Sequence, residues 1–157
     1  MKSIFIHPLL MVLVFMASCS STKSTTESIR EITHKVETKD FTIEVNYANP
    51  MSGPQIYLTN GYHLRIKNDS AFAYLPYYGV AYSAPYGGEG GIKFAELMSN
   101  YSCLKTKKAD GWNIHLKVKT MENGYDITVN IFNNRNSTIT VNSFNRQTIT
   151  FTGELKN

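Results

Sequence analysis

The sequence predicts a mainly β protein, an antiparallel sandwich or partly closed barrel of about nine or ten strands with a short N-terminal helix. Three observations carry that reading. Most of the chain alternates apolar and polar residues with a period of two, as strands with one buried and one wet face do. Short runs of Asn, Asp and Gly separate these segments, so each strand returns beside the one before it. One segment near the N-terminus instead carries its apolar residues three and four apart, as a helix does. At 157 residues the chain suffices for one domain with a real core, assigned to residues 27–157.

The N-terminus reads as a processing signal. Lys2 precedes an apolar run from Ile4 to Phe15 that is short for a bilayer span and is interrupted by His7 and Pro8. Met16-Ala17-Ser18-Cys19 resembles a bacterial lipobox, with Met16 where Leu is usual, so residues 1–18 are expected to be a lipoprotein signal peptide and Cys19 the lipidated residue. Residues 19–26, rich in Ser and Thr, read as a polar tether. Acyl chains on Cys19 would hold the protein to the membrane at about 0.8 kcal/mol per buried methylene. The expected location is therefore the cell envelope, with the outer membrane favoured by Ser20 after the cysteine.

Export narrows the chemistry. Cleavage removes only Lys2 from the 16 basic and 12 acidic residues, leaving a net charge of +3. The lysines are scattered and not interleaved with aromatics, which argues against nucleic acid as a partner. Beyond Cys19 only Cys103 remains, so no intramolecular disulfide is expected. No cofactor or metal is expected either.

Along the domain, Ile29, Ile32 and Val36 set a short amphipathic helix over 27–37 that covers one open end of a sheet. Phe41, Ile43, Val45 and Tyr47 form the apolar side of the first strand, which ends before Asn49-Pro50. Ile56 and Leu58 lead into Asn60-Gly61, a two-residue hairpin signal, with Leu64 and Ile66 on the partner strand. Asn68-Asp69 turns into Ala71–Leu75. Ile92–Leu97 and Tyr101–Thr106 are weaker strand patterns. Trp112, Ile114, Leu116 and Val118 alternate cleanly, and Asn123-Gly124 reverses the chain into Tyr125, Ile127, Val129 and Ile131. Asn133–Asn136 and Ser143–Arg146 turn into the last two strands, which carry Ile139, Val141, Ile149 and Phe151.

One stretch departs from this meander. Between Ala73 and Phe94 lie five of the ten tyrosines, five of the ten glycines, Pro76 and Pro85. A connection of that length in a compact domain is usually functional or disordered. Tyr74, Tyr77, Tyr78 and Tyr82 would cap the open end of the sheet with rings inward, or expose some rings as platforms for a sugar or peptide. Within it, Leu75-Pro76-Tyr77-Tyr78-Gly79, then Ala81-Tyr82, Tyr86-Gly87 and Gly91-Ile92-Lys93-Phe94, together with the closing Arg146, Ile149, Phe151 and Gly153, resemble an uncharacterised family of exported bacterial proteins, the domain of unknown function 4251. The resemblance spans residues 33–155 and implies an envelope lipoprotein with a β-rich domain. It brings no catalytic or binding residue with it.

The candidates for chemistry are sparse. His34, His63 and His115 have no metal-ligand spacing and read as surface residues. Glu89, framed by Gly87-Gly88 and Gly90-Gly91, is a lone carboxylate, and the cluster lacks the Gly-Lys-Ser/Thr ending of a phosphate loop. Cys103 reads as a small buried apolar residue rather than a nucleophile. The leading functional expectation is a non-enzymatic envelope lipoprotein that binds a glycan or an envelope protein through Tyr77, Tyr78, Tyr82, Tyr86 and Glu89. The alternatives are a small cell-wall or glycan-acting enzyme using Glu89 with His63 or His115, and a purely structural lipoprotein.

Overall fold

The computed structural model describes residues 21–59, 61–83, 90–106 and 110–157, with side chains from residue 26 onward. The expected signal peptide, Cys19, Tyr86 and Glu89 lie outside these residues. One helix, α1 (Ser21–Glu37), precedes nine strands. These are β1 (Asp40–Pro50), β2 (Ile56–Tyr57), β3 (His63–Lys67), β4 (Ser70–Leu75), β5 (Ile92–Thr106), β6 (Gly111–Lys119), β7 (Gly124–Phe132), β8 (Asn136–Ser143) and β9 (Arg146–Leu155).

All pairings are antiparallel. The sheet runs β2-β1-β3-β4-β5-β6-β7-β8-β9, and β1 also pairs with β9 from Ile43↔Leu155 to Pro50↔Ile149. That pairing closes eight strands into a barrel and leaves β2 as an extra strand on β1. Of the two predicted architectures the barrel is the one formed, and it closes completely. Closure removes the sheet edges that would otherwise invite association. Eight strands enclose a space that side chains can just fill. Ile43, Leu64, Ile66, Leu75, Ile114, Leu116, Ile127, Ile131, Ile139 and Phe151 fill it, all essentially inaccessible.

Several sequence expectations change in physically informative ways. The first strand was expected to bury Tyr47, but a bulge between Val45 and Tyr47 opposite β9 inserts one residue and inverts the alternation. Ala48 is therefore buried and Tyr47 faces out. The strands on either side of Asn60-Gly61 do not pair with each other as the hairpin reading expected, and Asn60 itself lies outside the described residues. β2 and β3 both pair with β1, through Tyr47↔Tyr57 and Glu44↔His63, so the chain continues in one direction and loops out between them. Leu58 N donates to Asn46 O and Val45 N to Tyr62 O, which seats both ends of that loop on β1. A period of two shows that both halves are strands, but not which strand each one meets.

The two weak strands at 92–106 are one strand of 15 residues, broken in pattern by an irregularity between Ser99 and Ser102, where Asn100 takes a φ of 53°. The first half pairs with β4 and the second with β6. The β6–β7 reversal lies over Thr120–Asn123 rather than over Asn123-Gly124: Lys119 pairs with Gly124, and Thr120 N donates to Asn123 O. The helix begins at Ser21, inside the expected tether. Ser and Thr give no apolar period, so only the part from Ile29 onward was readable.

Both ends of the barrel are covered. At one end α1 buries Ile32 and Val36 completely. Its last turns are tied across the opening: Tyr101 Oη donates to Val36 O at 3.1 Å, Lys35 Nζ to Lys156 O at 2.8 Å, and Arg135 Nη1 to Glu31 Oε2 at 3.1 Å. This is the covering role the amphipathic pattern predicted. At the other end, residues 80–83 of the connection between β4 and β5 lie against the start of β9.

Candidate functional site

Leu75 pairs with Ile92, and of the connection between them residues 76–83 and 90–91 are described. Pro76 stops the ladder because it has no N–H to give. The loop then crosses to β9. Gln147 N donates to Val80 O, Val80 N to Gln147 Oε1, and Tyr82 N to Asn145 O, around an isolated bridge between Ala81 and Arg146. Residues 80–82 thereby occupy the side of β9 that β1, which ends at Pro50↔Ile149, leaves open.

Two side chains lock this arrangement. The Tyr77 hydroxyl lies 2.9 Å from Val80 O and 3.0 Å from Gln147 O, sharing its proton between the two carbonyls. Arg146, buried, stands with its guanidinium carbon 5.0 Å from the Tyr77 ring centre and donates from Nη1 to Gly90 O at 3.0 Å and to Gly91 O at 3.2 Å. It therefore holds both arms of the loop. Burial pushes the Tyr77 hydroxyl above its ordinary value, with the Arg146 charge pulling the other way. A Cβ at position 79 would come within 2.8 Å of that hydroxyl, so Gly79 makes room for the ring.

Of the tyrosines expected to cap the sheet, Tyr77 alone among the described ones turns inward. Tyr78 and Tyr82 are exposed, as is Val80 between them. Tyr74 belongs to the outer face of β4, because the alternation of that strand sends Ala73 and Leu75 into the core. There it stacks on Tyr62 at 5.3 Å, and Lys93 Nζ lies 5.0 Å from its ring centre.

The exposed rim has members that sequence reasoning missed. Phe144, at the two-residue β8–β9 turn, is 92% exposed, and Met121 in the β6–β7 loop is fully exposed. Asn145 joins them to the tyrosine loop: its carbonyl accepts from Tyr82 N, and its side-chain oxygen accepts from Asn123 Nδ2 at 2.8 Å. The available signal was a bulky apolar residue in each of two otherwise polar turns. Arg146 appeared in the family-like signature, but nothing in the sequence gave it a role.

The remaining candidates lie apart. His63 Nδ1 is 2.8 Å from Gly61 O, and His115 Nε2 is 2.6 Å from Asp126 Oδ1, both on outer strand faces. His34 is exposed on α1. Burial, then the Glu37 carboxylate, pushes the Cys103 thiol up, which keeps it protonated and a poor nucleophile. Among the described residues no three His, Cys, Asp or Glu side chains are placed to hold a metal ion, and no helix is long and apolar enough to cross a membrane.

Comparison with known proteins places the fold. A family model described as Domain of unknown function (DUF4251) matches residues 23–155. The crystal structure of a DUF4251 family protein from Bacteroides eggerthii DSM 20697 superposes with a TM-score of 0.65 at 20% identity, covering 85% of this chain and 89% of that one. None of the curated proteins compared with the chain matches it.

Proposed function

The chain belongs to the Domain of unknown function (DUF4251) family, whose description assigns no role, and we propose that it is a non-enzymatic binding module of the cell envelope, anchored by lipid on Cys19 and recognising its partner with the loop end of the barrel. One observation carries the reading. Tyr78, Val80, Tyr82, Met121 and Phe144 are exposed on loops that are themselves pinned to the barrel, so apolar side chains are held in water on a fixed platform. Exposed aromatic and Met side chains clustered on a rigid support are the composition of recognition surfaces. The lipid would sit two residues before α1, at the opposite end from this rim, so the rim would face away from the membrane.

The experiment compares Tyr82→Ala, Phe144→Ala and Tyr77→Ala with the wild-type mature protein, reading melting temperature and retention of solubilised envelope components and isolated cell-wall sacculi. Exposed-site changes of about 0.5 kcal/mol or less should leave Tm within about 2 °C for the first two variants while retention falls. Tyr77→Ala should lower both. The reading is lost if the wild-type protein retains nothing, or if Tyr82→Ala and Phe144→Ala retain as much as wild type does.

A further inference from the structure

We infer that the groove beside Phe144 is a binding site for a neutral saccharide, which gives the recognition reading above its ligand class and rests on it. A concavity of about 810 Å³ opens on the outer face of the barrel, where β6, β7 and β8 reach the loop end. That is within the range of about 300–1,000 Å³ typical of small-ligand sites. Gly124 forms its floor: a Cβ there would lie 3.3 Å from Phe144 Cε2, so the missing side chain is what leaves the dip beside the ring. Phe144 and Met121, both almost wholly exposed, stand along one side.

Along the other side runs a polar row fixed by strand register, Ser99↔Lys117, Lys117↔Asp126 and Asp126↔Asn142. Its members are already oriented. Lys117 Nζ is 3.5 Å from Asp126 Oδ2, His115 holds the other Asp126 oxygen at 2.6 Å, and Thr148 Oγ1 donates to Asn142 Oδ1 at 2.5 Å.

Three features select the ligand class. The charged groups lining the groove, Lys117, Lys119, Glu122 and Asp126, cancel, so a phosphate or polycarboxylate gains no net attraction. β7 is hydrogen-bonded to β6 on one side and β8 on the other, so an extended peptide finds no free ladder groups beneath it. What remains is an exposed aromatic face beside a row that offers donors and acceptors alternately. A pyranose presents the complement: an apolar C–H face to stack on Phe144, and neighbouring hydroxyls that donate to Asp126 and accept from Lys117 and Asn142.

The test is amide chemical-shift titration of the mature protein with soluble cello-, malto- and chito-oligosaccharides. At least one should give saturable shifts confined to the amides around Gly124, Asp126, Asn142 and Phe144. Phe144→Ala and Gly124→Leu should each weaken that binding about tenfold or more, and Leu104→Ala, exposed on β5 outside both the groove and the rim, less than about twofold. Asp126→Asn should also weaken it, with Tm as the check on folding. No saturable shift at about 10 mM of any of these sugars, or shifts centred elsewhere, would overturn the site. If the sugars fail while the Tyr82- and Phe144-dependent retention of envelope material persists, the saccharide class falls and the binding module stands. If both fail, both fall.

Discussion

Arg146 shows how much of the loop end depends on one residue. A guanidinium taken out of water is costly, and its Nε finds no hydrogen-bond partner among the described residues. In return Nη1 meets two carbonyls and the cation lies over Tyr77. Replacing Arg146 by Met keeps the apolar stem and removes those bonds, so unfolding in urea should show a loss of about 2 kcal/mol, equivalent to a Tm lower by about 4–8 °C. A neutral or stabilising Arg146→Met would mean that desolvation of the charge outweighs its bonds. Tyr77→Phe removes a single shared proton and should cost about 1 kcal/mol. Ultraviolet titration should find a phenol ionising above the ordinary tyrosine value, and Arg146→Met should raise it further, because the cation is the group pulling it down. None of this was readable from sequence: Tyr77 and Arg146 sit in segments far apart in the chain, and their meeting depends on where the barrel closes.

Among the elements, the β1–β9 seam carries the largest structural consequence. Asn46 is the residue inserted at the bulge, and it lies across from the Val45↔Gly153 and Tyr47↔Thr152 pairs. A Cβ on Gly153 would fall on the Glu44 carbonyl oxygen and the Val45 backbone. Neither is a flexible side-chain end that can move aside, so Gly153→Ala should cost about 2 kcal/mol or more, seen as a lower urea midpoint with circular dichroism that remains β. An unchanged midpoint would show that the seam can open there without cost. The helix is held differently. Hydrogen bonds from Lys35, then Arg135, hold the Glu31 carboxyl below its ordinary value. A depressed carboxylate stabilises the fold above its unfolded-state pKa and loses that contribution as pH falls through the folded-state value. Acidification through and below the usual carboxylate range should therefore loosen α1 in wild type more than in Glu31→Gln, measured by exchange of the α1 amides; equal pH dependence in the two would remove Glu31 from the account.

At the scale of the whole molecule, what was legible follows from the range of each interaction. The β6–β9 meander was readable because its strands meet neighbours across short turns, and Ile114, Val129, Ile139 and Phe151 all take the predicted inner face. Closure was not, because the pairing of Ile43 with Leu155 joins the two ends of the domain and leaves no mark in the local period. The Tyr/Gly stretch was visible as unusual, yet the division between the inward Tyr77 and the outward Tyr78 and Tyr82 depends on β9. The closed barrel makes a prediction about how its two covers relate. Ile32 on α1 is completely buried at one end and Arg146 is buried at the other, and among the described residues no hydrogen-bond or ring partner is common to both. Ile32→Ala should cost about 2–4 kcal/mol through the cavity it leaves. Combined with Arg146→Met, the losses should add to within about 0.5 kcal/mol, because both covers stabilise one cooperative barrel without touching each other. Urea unfolding of the two single variants and the double variant measures the coupling. A departure from additivity above about 1 kcal/mol would show instead that the ends communicate through the packed interior, and that an event at the rim reaches the helix beside the proposed lipid anchor.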